Sequence, residues 1–190
     1  MPAPSPPPDL AGGASALSPP EDRPDLRPPD PPFEVVLVSP EIPPNTGNVA
    51  RLCACTGSRL HLVAPLGFSL TDKDLRRAGL DYWSHVHVRT WGSFEELETA
   101  LDLPGEGRCR LHLFTARGRV THVESKLRAG DLLVFGRESR GLPEALLEKY
   151  AERTVRLPML QGRRSLNLAG SVGVAVYEGL RQVGAFAVAP

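Results

Sequence analysis

Asp131-Leu-Leu-Val-Phe-Gly-Arg-Glu-Ser-Arg-Gly-Leu-Pro143 is the stretch on which the fold turns. After Asp131 it opens with an apolar run without polar alternation, the pattern of a strand buried on both faces. Gly136 and Gly141 interrupt the run, and Pro143 suits the first turn of a helix that reaches Tyr150. The same order of strand, loop and helix recurs on either side. Glu34-Val-Val-Leu-Val38 reads as a strand, and Asn45–Thr56 as a helix capped by Asn45 and closed by a left-handed Gly57. Arg59–Val63 is a second strand, 71–78 a short helix, Val86-His-Val88 a weak strand and 93–101 a helix. Strands at Arg110–Phe114 and Arg153–Leu157 follow, with the longest helix over Leu166–Val183. This alternation predicts an α/β fold, a mostly parallel sheet flanked by helices on both faces.

Residues 1–32 read differently. They hold twelve of the twenty prolines and too little apolar surface to offset the entropy of ordering. The expectation is a disordered Pro-rich tail over 1–32, whose removal leaves activity intact, ahead of a folded domain over 33–190. A partner docking on the prolines and a plain solvated linker both fit such a tail. The tail carries two basic residues against five acidic ones, so the chain's zero formal charge hides a charge of +3 on residues 33–190. Nineteen of the 22 basic residues are Arg, whose planar fork suits phosphate, although genome composition accounts for such an excess as well.

Three cysteines, Cys53, Cys55 and Cys109, make neither a disulfide framework nor a zinc site. Cys53 and Cys55 are expected as buried, reduced thiols, in keeping with a cytoplasmic location. The histidines show no paired ligand spacing, so no metal is expected. Neither a signal peptide nor an apolar membrane span is visible.

In open α/β sheets, ligands bind beyond the carboxyl ends of the strands, and three loops qualify. The first is Pro40-Glu-Ile-Pro-Pro-Asn-Thr-Gly-Asn-Val-Ala-Arg51, where helix amides and Arg51 would suit a phosphate. A helix cap with a surface Arg accounts for the same residues equally well. The second is 135–143, which is neither a P-loop nor a dinucleotide fingerprint and is also compatible with an ordinary strand-to-helix turn. The third is Leu157-Pro-Met-Leu-Gln-Gly-Arg-Arg-Ser-Leu-Asn-Leu168, where Ser165 suits a helix cap. The helix after it carries Gly170, Ser171, Gly173 and Ala175, small residues that permit close packing either within the domain or across a dimer.

These motifs together resemble the SPOUT class of RNA methyltransferases, most closely the small tRNA (cytidine/uridine wobble) 2′-O-methyltransferases. The resemblance rests on Pro43-Pro-Asn-Thr-Gly-Asn48 with Arg51, Leu75-Arg-Arg-Ala-Gly-Leu-Asp-Tyr82, Phe135-Gly-x-Glu-x-x-Gly-Leu-Pro143 and Ser165-Leu-Asn-Leu168. It spans about residues 33–184. It implies a C-terminal deep trefoil knot, an arrangement that general topology rules would nearly forbid, and a homodimer through the first and last helices. It also implies S-adenosylmethionine as methyl donor, with Phe114, Gly136, Leu157, Ser165 and Leu166 lining its site. Arg51, Ser165 and Asn167 are implied as catalytic, and Asn45, Arg51, Arg164 and Tyr177 as contacts to the anticodon stem-loop of tRNA. Arg137 departs from the family, which often has a small residue or proline there.

Three rival readings stand beside this one. A flavodoxin-like nucleotide binder of unrelated function would be told apart by whether S-adenosylhomocysteine raises the melting temperature. The other two share the RNA reading. One is 2′-O-methylation of rRNA or of another tRNA position, though such relatives often carry an extra RNA-binding domain that is missing here. The other is a non-catalytic RNA-binding module, against which the intact Arg51, Ser165 and Asn167 count.

Overall fold

Strand β1 (Phe33–Val38) is buried at every position, so it must be covered on both faces. The computed structural model describes residues 26–69, 86–103 and 110–186. The further strands are β2 (Arg59–Val63), β3 (Val88–Trp91), β4 (Leu111–Phe114), β5 (Val120–Thr121), β6 (Asp131–Phe135) and β7 (Thr154–Arg156). They form one seven-stranded sheet in the order β3-β2-β1-β6-β4-β7-β5, and every pairing is parallel. The α/β expectation therefore holds.

Side chains alternate across the sheet, as strand geometry requires. Phe33, Val35 and Leu37 face one core with Leu133 and Phe135, and helices α1 (Pro43–Thr56) and α4 (Leu168–Gln182) cover it through Val49, Ala50, Cys53, Val172, Ala175 and Val176. Val36, Val38, Leu132 and Val134 face a second core, covered by α2 (Phe94–Ala100) and α3 (Glu144–Lys149) through Phe94, Leu97 and Leu146. β1 leads into α1 on one face, whereas its neighbour β6 leads into α3 on the other. Adjacent strands whose connections diverge leave a crevice beyond their carboxyl ends.

Several local expectations are corrected. The third strand lies at 88–91, not 86–88, because Leu60–Val63 pairs in register with Val88–Trp91. β5 was not anticipated, since two residues carry no readable period. Helix α1 starts at Pro43 with Ile42 as its cap residue, so Asn45 lies inside the first turn and does not cap it. Helix α4 starts at Leu168 and is capped by Asn167, whose side chain accepts from the Gly170 amide, so Ser165 is not the cap. Cys53 is buried and Cys55 exposed, because residues two apart on a helix point to different faces. Gly57 does close α1 in the left-handed region, at φ 75°. The expected helix over 71–78 and the block Leu75–Tyr82 lie outside the described residues.

The folded body also reaches back past residue 33. Leu26 bridges to Phe186, and the Arg27 amide donates to the Ala185 carbonyl at 2.7 Å. No described helix is long and apolar enough to cross a membrane.

Candidate active site

The crevice is an open cleft of about 950 Å³, lined by the loops after β4, β6 and β7 and by the start of α4. Its walls include Phe114 and Phe135, whose rings stack with centroids 4.7 Å apart, together with Leu142, Leu157 and Leu166. Its floor is backbone. A Cβ on Gly136 would fall 2.1 Å from the Gly141 carbonyl carbon, so only glycine permits this turn. Gly118 is held as closely, with its notional Cβ 2.2 Å from the Val155 carbonyl carbon. The tight turn at 137–141 is closed by the Gly141 amide donating to the Arg137 carbonyl at 2.8 Å.

Around this floor the charges are mostly positive. Arg117, Arg119, Arg137, Arg140 and Arg164 line the cleft, against Glu138 and Glu144. Glu138 is turned towards α1. Its carboxylate accepts from the Glu41 amide at 2.8 Å, the Ile42 amide at 3.3 Å and Asn45 Nδ2 at 3.0 Å. Helix α1 has no acidic residue in its first turn and no side-chain cap of its own. Glu138 thus supplies from another loop the negative partner that helix N-terminal amides require. In return, Glu41 accepts from the Ser139 amide at 3.0 Å and from Ser139 Oγ at 2.9 Å. Those Ser139 hydrogen bonds, with Arg137 and Arg140 nearby, hold the Glu41 carboxyl below its usual range.

Asn45 Oδ1 accepts from Asn167 Nδ2 at 2.9 Å, and Asn167 Oδ1 accepts from the Gly170 amide at 3.2 Å. A continuous chain, Glu138–Asn45–Asn167, therefore joins the β6 loop, the start of α1 and the start of α4.

The structure brings Asn45, Phe114, Gly136, Leu157, Arg164, Ser165, Leu166 and Asn167 to one cleft. Arg51 and Tyr177 do not line it. Arg51 lies on the exposed side of α1, and Tyr177 is half-exposed on α4 with its ring stacked against Phe186 at 6.2 Å. Sequence reasoning gave Glu138 and Glu41 no role. The available signal was the start of α1, where two prolines and no acid leave amides that some distant carboxylate must meet. Among the described residues, no group of three or more His, Cys, Asp or Glu side chains converges as metal ligands.

Known proteins share this fold. A family model described as the SpoU rRNA Methylase family matches residues 32–177. The chain belongs to this family. A tRNA (cytidine(34)-2'-O)-methyltransferase of Methylovorus glucosotrophus is 50% identical over 151 residues, covering 79% of this chain and 95% of its own. A solved structure described as giving insight into the 2-OH methylation of C/U34 on tRNA is 50% identical, with a TM-score of 0.74, and covers 79% of this chain and 95% of that one. The SpoU methyltransferase AviRb from Streptomyces viridochromogenes, solved in complex with the cofactor AdoMet, has a TM-score of 0.71 over 86% of this chain and 62% of its own. At 23% identity that likeness carries the fold alone.

Proposed function

We propose that this protein is an S-adenosylmethionine-dependent tRNA 2′-O-methyltransferase that acts on the ribose of the wobble nucleotide, cytidine or uridine 34. The observation that carries the reading is half-identity to a tRNA (cytidine(34)-2'-O)-methyltransferase across 95% of that enzyme's length. The cleft agrees with the chemistry. Its volume of about 950 Å³ suits a nucleoside-sized ligand, its apolar walls and exposed backbone suit adenine, and its basic mouth suits an RNA backbone.

The residues that fit the donor are Phe114, Gly136, Leu157, Ser165 and Leu166. When bound, the donor supplies an electrophilic methyl group for in-line displacement by the ribose hydroxyl, a step in which alignment contributes much of the rate. A guanidinium holds its proton throughout the neutral range and is a poor base. From the exposed side of α1, outside the cleft itself, Arg51 accordingly meets the bound RNA, where it orients the hydroxyl and the adjacent phosphate and lowers the cost of the developing alkoxide. Ser165 and Arg164 stand at the cleft mouth to meet the RNA, with Tyr177 as a further contact. Asn45 and Asn167 spend their amides on each other, on Glu138 and on Gly170. These bonds position the loops, and because a side-chain amide offers two N–H donors and an oxygen with two lone pairs, each keeps capacity for substrate, Asn167 as a catalytic residue and Asn45 as an RNA contact.

The reading extends to the assembly. Residues 33–190 form the methyltransferase domain, 1–32 lead into it, and the C-terminal part is threaded as a deep trefoil knot. The close passage of Gly118 along β7 supports such threading. Two copies pair through α1 and α4, whose exposed Val174 and Tyr177 supply apolar surface, and the enzyme works in the cytoplasm without a metal.

The test is methyl transfer from labelled S-adenosylmethionine to unmodified tRNA transcripts and to bulk tRNA, with mass mapping of the product. A 2′-O-methyl group at nucleotide 34 is the expected result. Methylation confined to rRNA, or no transfer while S-adenosylhomocysteine binds, would overturn the tRNA assignment.

A further inference from the structure

The loops after β1 and β6 are joined by two carboxylates that cross. Glu138 reaches from the β6 loop to the Glu41 amide at 2.8 Å, and Glu41 reaches back to the Ser139 amide at 3.0 Å and to Ser139 Oγ at 2.9 Å. The two halves of this exchange secure different things. Glu138 secures the start of α1. Glu41 secures Ser139, the exposed tip of the loop that forms the cleft floor.

Glu41 is itself held from behind. The Gly67 amide donates to the Pro40 carbonyl at 2.9 Å, and a Cβ on Gly67 would fall 2.8 Å from Glu41 Cα. The loop after β2 thus backs onto Glu41, which in turn holds the β6 loop. Below its tip, that loop has little freedom of its own: Gly136 packs on the Gly141 backbone, and Gly141 sits at φ 74°. A turn this tight moves as one piece, so a tether at its tip sets the height of the whole cleft floor.

We propose that Glu41 is a positioning residue for the methyl donor, its carboxylate holding the 136–142 loop in the shape that receives the cofactor. This rests on the reading of the cleft as the donor site. An acidic tether from outside the cleft acts on donor binding before any RNA arrives, which separates it from residues at the RNA mouth.

The test uses the full chain and S-adenosylhomocysteine as probe, by isothermal titration calorimetry. Glu41→Ala should raise Kd for the probe, and KM for the donor, roughly tenfold, the scale of losing charge-assisted hydrogen bonds. KM for tRNA should stay at the wild-type level, and the melting temperature of the ligand-free protein should fall by no more than about 2–4 °C, the scale of one local contact. Glu41→Gln, which keeps one acceptor, should fall between. Ser139→Ala, which keeps the backbone donor, should weaken binding less, and should add nothing in the Glu41→Ala background. Wild-type probe affinity in Glu41→Ala would overturn the assignment while leaving the cleft reading intact. A melting temperature lowered well beyond about 4 °C would mean that the body as a whole is loosened, would reduce Glu41 to a stabilising contact and would also overturn it. A wild-type protein that fails to bind the probe would overturn both the cleft reading and this inference.

Discussion

Asp131 opens β6 with its carboxylate 1% exposed among His112, Arg110 and the Arg128 amide, at 2.8–2.9 Å from the nearest atom of each. Burial pushes its carboxyl up, but the hydrogen bonds from His112, Arg110 and Arg128 outweigh burial and hold it below the ordinary 3.8. A carboxyl depressed in the folded state contributes stability that is fully present above its unfolded value and is lost as pH falls through the folded one. Asp131→Asn should therefore cost about 1–3 kcal/mol near neutral pH. In urea titrations the gap to wild type should narrow as the pH falls below 3.8. Arg51 belongs to the same scale but tests function. Lysine keeps the charge and loses the planar fork. Arg51→Lys should lower kcat at least about tenfold with unchanged affinity for S-adenosylhomocysteine. Near-normal turnover in a methyl-transfer assay would exclude the fork-geometry role.

Helices α1 and α2 show two ways of completing an N-terminus. Helix α2 does it locally: Ser93 accepts from the Glu96 amide at 3.2 Å, and Glu96 accepts from the Gly92 amide at 2.6 Å. That pattern lies within five residues and is readable in sequence. Helix α1 depends on Glu138 instead, so its first turn and the cleft floor are one mechanical unit. Glu138→Ala should speed hydrogen exchange at the Glu41 and Ile42 amides and cost about 1 kcal/mol, the usual scale for a lost cap. Exchange at the start of α2 should stay unchanged. If both helices loosened equally, the effect would be general destabilisation and not loss of a cap.

At the scale of the molecule, α4 is pressed onto β1. A Cβ on Gly179 would fall 2.5 Å from Phe33 Cζ, and Phe33 is fully buried. Gly179→Ala gains up to about 1 kcal/mol of helix propensity but overpacks this contact, at a cost of about 1–3 kcal/mol. Net destabilisation is expected in urea unfolding, and Phe33→Leu in the same chain should recover part of it, which a double-mutant cycle would read. The N-terminal segment gives a second check. Truncation through Pro32 should lower the melting temperature, because Leu26, Arg27 and the buried Pro32 pack on the body.

Apolar runs such as Leu132–Phe135 must be covered on both faces wherever they lie, so the alternation of strands and helices, and with it the parallel α/β class, was set by the sequence alone. Gly57 and the three loops that border the cleft were equally legible, because turn chemistry acts within a few residues. Tertiary structure decided the rest. The partners of Asn45 lie 93 and 122 positions away, so its apparent role as a local cap gave way to a bridge. Val88–Trp91 became a strand because β2 offered it an edge, and the role of Glu138 emerged only when β6 was placed beside β1. Local propensity selects the elements, but a hydrogen bond between distant residues exists only after the sheet order has brought their loops together.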